Sequence, residues 1–89
     1  MGPLEQSINR KLRDTFAPSA LEVVNESHLH AGHQGGAMDG TGETHFRVKI
    51  TAQAFEGMSR LQRHRAVNEL LVEELANGVH ALAVEPNTP

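Results

Sequence analysis

The sequence contains no cysteine, tryptophan or tyrosine and only three phenylalanines. Without cysteine, no disulfide holds the fold together and no thiolate is available as a nucleophile or metal ligand. Any metal must therefore be held by imidazole, carboxylate or sulfur from another molecule. So few aromatic rings leave little on which nucleic-acid bases could stack. No apolar run approaches the roughly 18 residues of a membrane span, and neither a signal peptide nor an Arg-rich presequence is visible. A soluble, cytoplasmic protein without membrane contact is expected. Met1-Gly2 lacks the Ser or Thr that myristoylation needs at the sixth position, which is Gln6. No HExxH, clustered carboxylates, Ser-His-Asp arrangement or phosphate loop with Lys appears, so the chain does not read as an enzyme.

What is present is ordinary for one small domain spanning 1–89. The chain is 38% hydrophobic and 21% charged, and a domain of this size buries only about 60–65% of its unfolded surface. The net charge of −3 gives no overall attraction to nucleic acid or anionic membranes. Six histidines qualify this, because protonating all of them would carry the net charge from −3 to +3.

The stretch 59–82 organises the rest. Ser59 with Gln62 forms a capping box, Asn77-Gly78 supplies a left-handed exit, and a helix is predicted over 60–76. Leu61, Val67, Leu71, Val72 and Leu75 fall on one face, together with His64 and Asn68. The run 79–84 then reads as a strand with His80 at its entrance. Earlier, Pro3 opens a helix to about Thr15, with Leu4, Ile8, Leu12 and Phe16 as its apolar stripe, and Pro18 closes it. A first strand is predicted over 21–27 and a second over 44–52, where Phe46, Val48 and Ile50 alternate with His45, Arg47, Lys49 and Thr51. Between them 28–43 is Gly- and His-rich without periodicity and is read as a flexible loop. Phe55-Glu56-Gly57 is a turn, and 85–89 is read as a C-terminal tail. The α-β-β-α-β order gives an antiparallel hairpin, then a right-handed crossover to a parallel strand. The predicted fold is an α+β two-layer sandwich, with a mixed three-stranded sheet carrying its helices on one face.

Five groups of residues in this order resemble the BolA-like proteins. They are Leu21-Glu22-Val23 leading into Asn25-Glu26-Ser27, Thr44-His45-Phe46, Phe55-Glu56-Gly57, Arg63-His64-Arg65 with Asn68, and Val79-His80-Ala81-Leu82. The resemblance implies a class II KH-like fold. It also implies a role with monothiol glutaredoxins in iron-sulfur cluster maturation, trafficking and iron signalling, or in DNA binding and control of morphology under stress. It implies that His80 and a histidine of the first loop, here His30, ligate a bridging [2Fe-2S] cluster shared with the glutaredoxin and not bound alone. This loop is longer than the family's usual one, and His28 and His33 are competing ligands.

The chemistry agrees with a shared site. Two imidazoles can replace two thiolates on one iron of a [2Fe-2S] centre, and the sulfur side must come from the partner. By position alone, His80 reads as a strand histidine hydrogen-bonded at a helix end, and the loop histidines read as solvated. His64 reads as a satisfied core histidine beside structural Asn68, Gly57 and Gly78. His45 reads as a surface or interface residue. Arg60, Arg63 and Arg65, with Lys49, form the candidate contact surface for partner carboxylates or a nucleic-acid backbone. The GXXG match at Gly32-His33-Gln34-Gly35 lies between strands and lacks Lys or Arg, so weak, salt-sensitive DNA binding is the alternative function. The chain alone is expected to be a monomer.

Overall fold

The computed structural model describes residues 2–27 and 44–89. Helix α1 spans Pro3–Phe16, strand β1 Ala20–Asn25, strand β2 His45–Thr51, helix α2 Arg60–Leu70, helix α3 Val72–Ala76 and strand β3 Ala81–Asn87, with a 3-10 turn at Gln53–Phe55 between β2 and α2. The strands form one sheet in the order β1-β2-β3. β1 runs antiparallel to β2, with Val23 opposite Val48, and β3 runs parallel to β2, with Val48 opposite Val84. This is the α+β arrangement, with a mixed three-stranded sheet, that the element order predicts.

Strand alternation decides which face is covered. Phe46, Val48 and Ile50 of β2 are fully buried, flanked by Leu21 and Val23 of β1 and by Leu82 and Val84 of β3. Ile8 and Leu12 of α1 and Val67 of α2 are completely buried against them, together with Phe55 and Leu71. Burying one such side chain contributes about 1.5–3 kcal/mol, so this face carries the stability of the domain. The opposite face is open and ionic. Arg47 bonds Glu26 at 2.9 Å and Glu85 at 3.0 Å, and Lys49 lies 4.0 Å from Glu22.

The helix ends follow from local chemistry. Pro3 sits in the first turn of α1, and Ala17 ends it in the left-handed region with φ 45°, after which Pro18 cannot continue the helix. The Phe16 ring meets Phe55 with centroids 4.9 Å apart. Ser59 and Gln62 form the reciprocal capping box that starts α2. Gly57 and Gly78 hold φ of +82° and +128°, conformations that residues with a side chain rarely adopt.

Three local expectations are corrected. The helix predicted over 60–76 is divided at Leu71, which has φ −100° and ψ 20°, although i to i−4 bonds from Leu71 to Val67 and from Leu75 to Leu71 persist. Leu61 and Val72 are 59% and 60% exposed, and Asn68 is exposed, so these three do not share the buried face. The helices dock instead through Val67, Leu71 and Glu74, with half-buried Arg63 and His64, because these polar groups find hydrogen-bond partners and hydropathy alone cannot rank them. Finally, β3 begins at Ala81, not Val79, and continues through 85–87, which are strand and not tail. The Val79 amide bonds back to the Glu74 carbonyl, holding Val79 in the helix exit. Pro86 is tolerated because β3 is an edge strand.

Candidate functional site

His80 lies between the α3 exit and β3. Its side chain is exposed and, among the described residues, no group hydrogen-bonds its ring. Its backbone is fixed: the His80 amide donates to the Thr44 carbonyl at 2.8 Å, as does that of Ala81 at 3.2 Å. On the other side, the Gly78 turn packs near Leu4 of α1, and Val79 is held by Glu74. Among the described residues the imidazole is therefore without a hydrogen-bond partner, while the chain bearing it is pinned.

Thr44 is also where the segment 28–43 rejoins the sheet. The buried Ser27 hydroxyl accepts from the amides of Thr44 at 2.8 Å and His45 at 3.1 Å, and the Asn25 side chain accepts from the Ser27 amide at 2.9 Å. One hydroxyl thus clasps both ends of the segment beside His80. His28, His30 and His33 lie outside the described residues, as does the Gly32-His33-Gln34-Gly35 match. Among the described residues, no group of three or more His, Asp or Glu side chains comes together as a metal site. Among the described residues the exposed His80 ring has no hydrogen-bond partner, and the segment that Ser27 closes carries three more histidines in its sequence.

His45 opens β2, and its Nδ1 lies 2.8 Å from the Thr44 hydroxyl. His64 has a different position. Its Nδ1 faces the Arg60 carbonyl at 2.8 Å and its Nε2 the Val84 carbonyl at 3.1 Å. Arg63 donates from Nε to the Met58 carbonyl at 3.1 Å and from Nη1 to the Pro86 carbonyl at 3.3 Å. Since among the described residues β3 pairs only with β2, the Val84 and Pro86 carbonyls face its other edge, and the Arg63-His64 pair caps them. Arg60 and Arg65 are exposed. Lys49 is not beside these arginines: it alternates onto the open face of the sheet, opposite α2, and lies near Glu22.

Two contributions were not apparent from sequence. Ser27 appeared only as part of a motif, without its clasping role, because its contacts reach 17 and 18 residues ahead. Glu74 was not singled out in the sequence, yet it is only 3% exposed. It accepts hydrogen bonds from the Ser7 hydroxyl and, at 3.1 Å, from Lys11. Burial pushes its carboxyl up, but these hydrogen bonds outweigh burial and leave it below its ordinary value. The signal that could have found it is its spacing of seven from Val67 on the docking face.

An α-β-β-α-β chain with a parallel third strand and an exposed histidine at the strand entrance defines a KH-like α+β domain whose edge is capped by an Arg-His pair. The family is narrower than that, and the chain belongs to it: residues 12–89 match the family model of the BolA-like proteins. A Sinorhizobium protein described as an uncharacterized protein in the cobS 5′ region is 59% identical over 86 residues, covering 97% of this chain and 91% of that protein. Mouse BolA-like protein 1 is 51% identical, covering 99% of this chain and 60% of that protein, so the chain spans less than two thirds of this relative. A Vibrio cholerae relative named DNA-binding transcriptional regulator BolA is 40% identical, covering 96% of this chain and 74% of that protein. Among solved structures, BolA1 from Arabidopsis thaliana superposes with a TM-score of 0.86 at 42% identity, covering 96% of this chain and 90% of that one. The BolA domain of SufE1 from the same plant also gives 0.86, at 40% identity, covering 100% and 95%. Of these, the Vibrio protein is named as a regulator and the SufE1 structure as a domain of a larger protein.

Proposed function

We propose that this chain is an adaptor in iron-sulfur cluster maturation, trafficking and iron signalling, contributing imidazoles to a [2Fe-2S] cluster bridged to a monothiol glutaredoxin. His80 is one ligand and His30 the other, with His33 and His28 as its competitors. The observation that carries this reading is the exposed His80 ring, without a hydrogen-bond partner among the described residues, on a pinned backbone beside the Ser27 clasp that closes the histidine-bearing segment. The absence of cysteine assigns the thiolates to the partner. When bound, the cluster would supply the iron that the imidazoles ligate; the protein's part is to present the imidazoles. That a SufE-like protein contains this domain as one of its parts suits a module that works beside another protein.

The test is to mix the chain with a monothiol glutaredoxin and reconstituted cluster and follow visible absorption and circular dichroism. His80→Ala should reduce the change seen on mixing, and His30→Ala should do so more than His28→Ala or His33→Ala. Spectra indifferent to His80→Ala and to all three loop replacements would defeat direct ligation.

A second reading, a DNA-binding regulator of transcription and morphology under stress, is favoured by the name of the Vibrio relative and by the exposed Arg60 and Arg65. Duplex binding that weakens between two salt concentrations near pH 7.5 would support it. No affinity at physiological salt removes it.

A further inference from the structure

At the far end of β3 from His80, a groove of about 480 Å³ is lined by Arg60, Arg63, Val84, Glu85, Pro86 and Asn87. β3 is seven residues long, so at about 3.3 Å per residue the groove lies roughly 20 Å from the histidine.

Among the described residues three of the eight lysines and arginines pair with carboxylates, while Arg10, Arg13, Arg65 and the two arginines of this groove do not. The groove differs in holding two unpaired guanidinium groups together. Lys11, Arg47 and Lys49 each have a carboxylate within 4.0 Å. Among the described residues Arg60 and Arg63 have none, although the chain carries a net charge of −3. Arg63 is held in place only by the neutral carbonyls of Met58 and Pro86, which leaves its Nη2 donors uncommitted among the described residues. The first turn of α2 contains no acidic residue. Glu85 lines the groove, but its carboxylate is engaged by Arg47 at 3.0 Å. One guanidinium is thus oriented in advance and a second, exposed one stands a turn away over the same groove.

We propose that this groove binds an acidic segment of a partner polypeptide, a carboxylate bridging Arg60 and Arg63 while its aliphatic stem rests against Pro86. Charge-assisted, fork-shaped contacts of this kind are among the stronger hydrogen bonds to an arginine. Nucleic acid suits the surface less well. A duplex spreads phosphates over a wide area, and here it would meet Glu85 at the groove itself. The site is separate from His80 and stands or falls independently of cluster ligation.

The full chain labelled with 15N is titrated with a blocked hexaglutamate peptide, with hexalysine and a 16-base-pair DNA duplex as comparison arms. Hexaglutamate should shift the Arg63 Nε–H and the Glu85 and Asn87 amides saturably, and hexalysine should not. Arg60→Glu, at an exposed position whose side chain makes no bond among the described residues, should weaken the peptide at least tenfold with an unchanged thermal melt. Arg65→Glu, on the same helix but outside the groove, should change affinity less than threefold. Equal losses from the two variants, shifts centred elsewhere, or a duplex that moves the groove resonances at lower concentration than the peptide would each overturn the assignment.

Discussion

Glu74→Ala tests how α1 is fastened to the body of the fold. The carboxylate is 3% exposed and accepts from Ser7 and Lys11 of α1, while its backbone carbonyl holds the Val79 amide. Hydrogen bonds to a charged group contribute about 1.5–3 kcal/mol each when a partner is lost. Lys11 keeps its second bond, to Glu73 at 2.8 Å, so its loss is partial and the total should be about 3 kcal/mol. In a domain whose whole stability is of order 5–15 kcal/mol, this lowers the melting temperature by about 15 °C. Glu73→Ala removes a carboxylate whose side chain is 75% exposed and should change stability by less than about 0.5 kcal/mol. Both variants are read by thermal and urea unfolding at pH 7. The acid response adds a second readout. The folded carboxyl lies below the ordinary value of 4.5, so its contribution is fully present above pH 4.5 and is lost as pH falls through the lower, folded value. The difference between wild type and Glu74→Ala should therefore shrink on acidification below pH 4.5. Equal effects at Glu73 and Glu74, or a melting shift below about 4 °C, would refute the assignment of Glu74 as the tie between α1 and α3.

Ser27→Ala removes the acceptor shared by the Thr44 and His45 amides; a loss of about 1–3 kcal/mol is expected, with faster hydrogen exchange at those two amides than at Val48. His64→Ala leaves the Arg60 and Val84 carbonyls without their imidazole partner and should cost about 1–3 kcal/mol in urea unfolding. Arg65→Ala, one residue on and exposed, should stay within about 0.5 kcal/mol of wild type. If His64→Ala behaves like Arg65→Ala, His64 does not cap the edge of β3.

The parts of the fold visible in the sequence were those where one period repeats without interruption. The four-residue recurrence of Leu4, Ile8, Leu12 and Phe16 and the alternation of Phe46, Val48 and Ile50 leave little choice of element or face. α2 and α3 were harder because their docking side is mixed. Glu74 is buried there while Leu61 and Val72 face outward, and a pattern that treats every charge as solvated assigns the wrong residues. Likewise Pro86 suggests the end of a strand, yet it sits on an edge whose outward carbonyl is taken by Arg63. At the candidate site, His80 was legible from the Val79-His80-Ala81-Leu82 group that resembles the family, and not from its position alone. Its fixed backbone was not, because Thr44 lies 36 residues earlier in the sequence.

The Ser27 clasp bears on how this domain can change over time. Because a single hydroxyl joins Ser27 directly to Thr44, the register of β1 on β2 is set without reference to the number of residues between them. Doubling that number adds only about 0.6 kcal/mol of closure entropy. Insertions there can exchange one set of side chains for another while the two strands stay where they are.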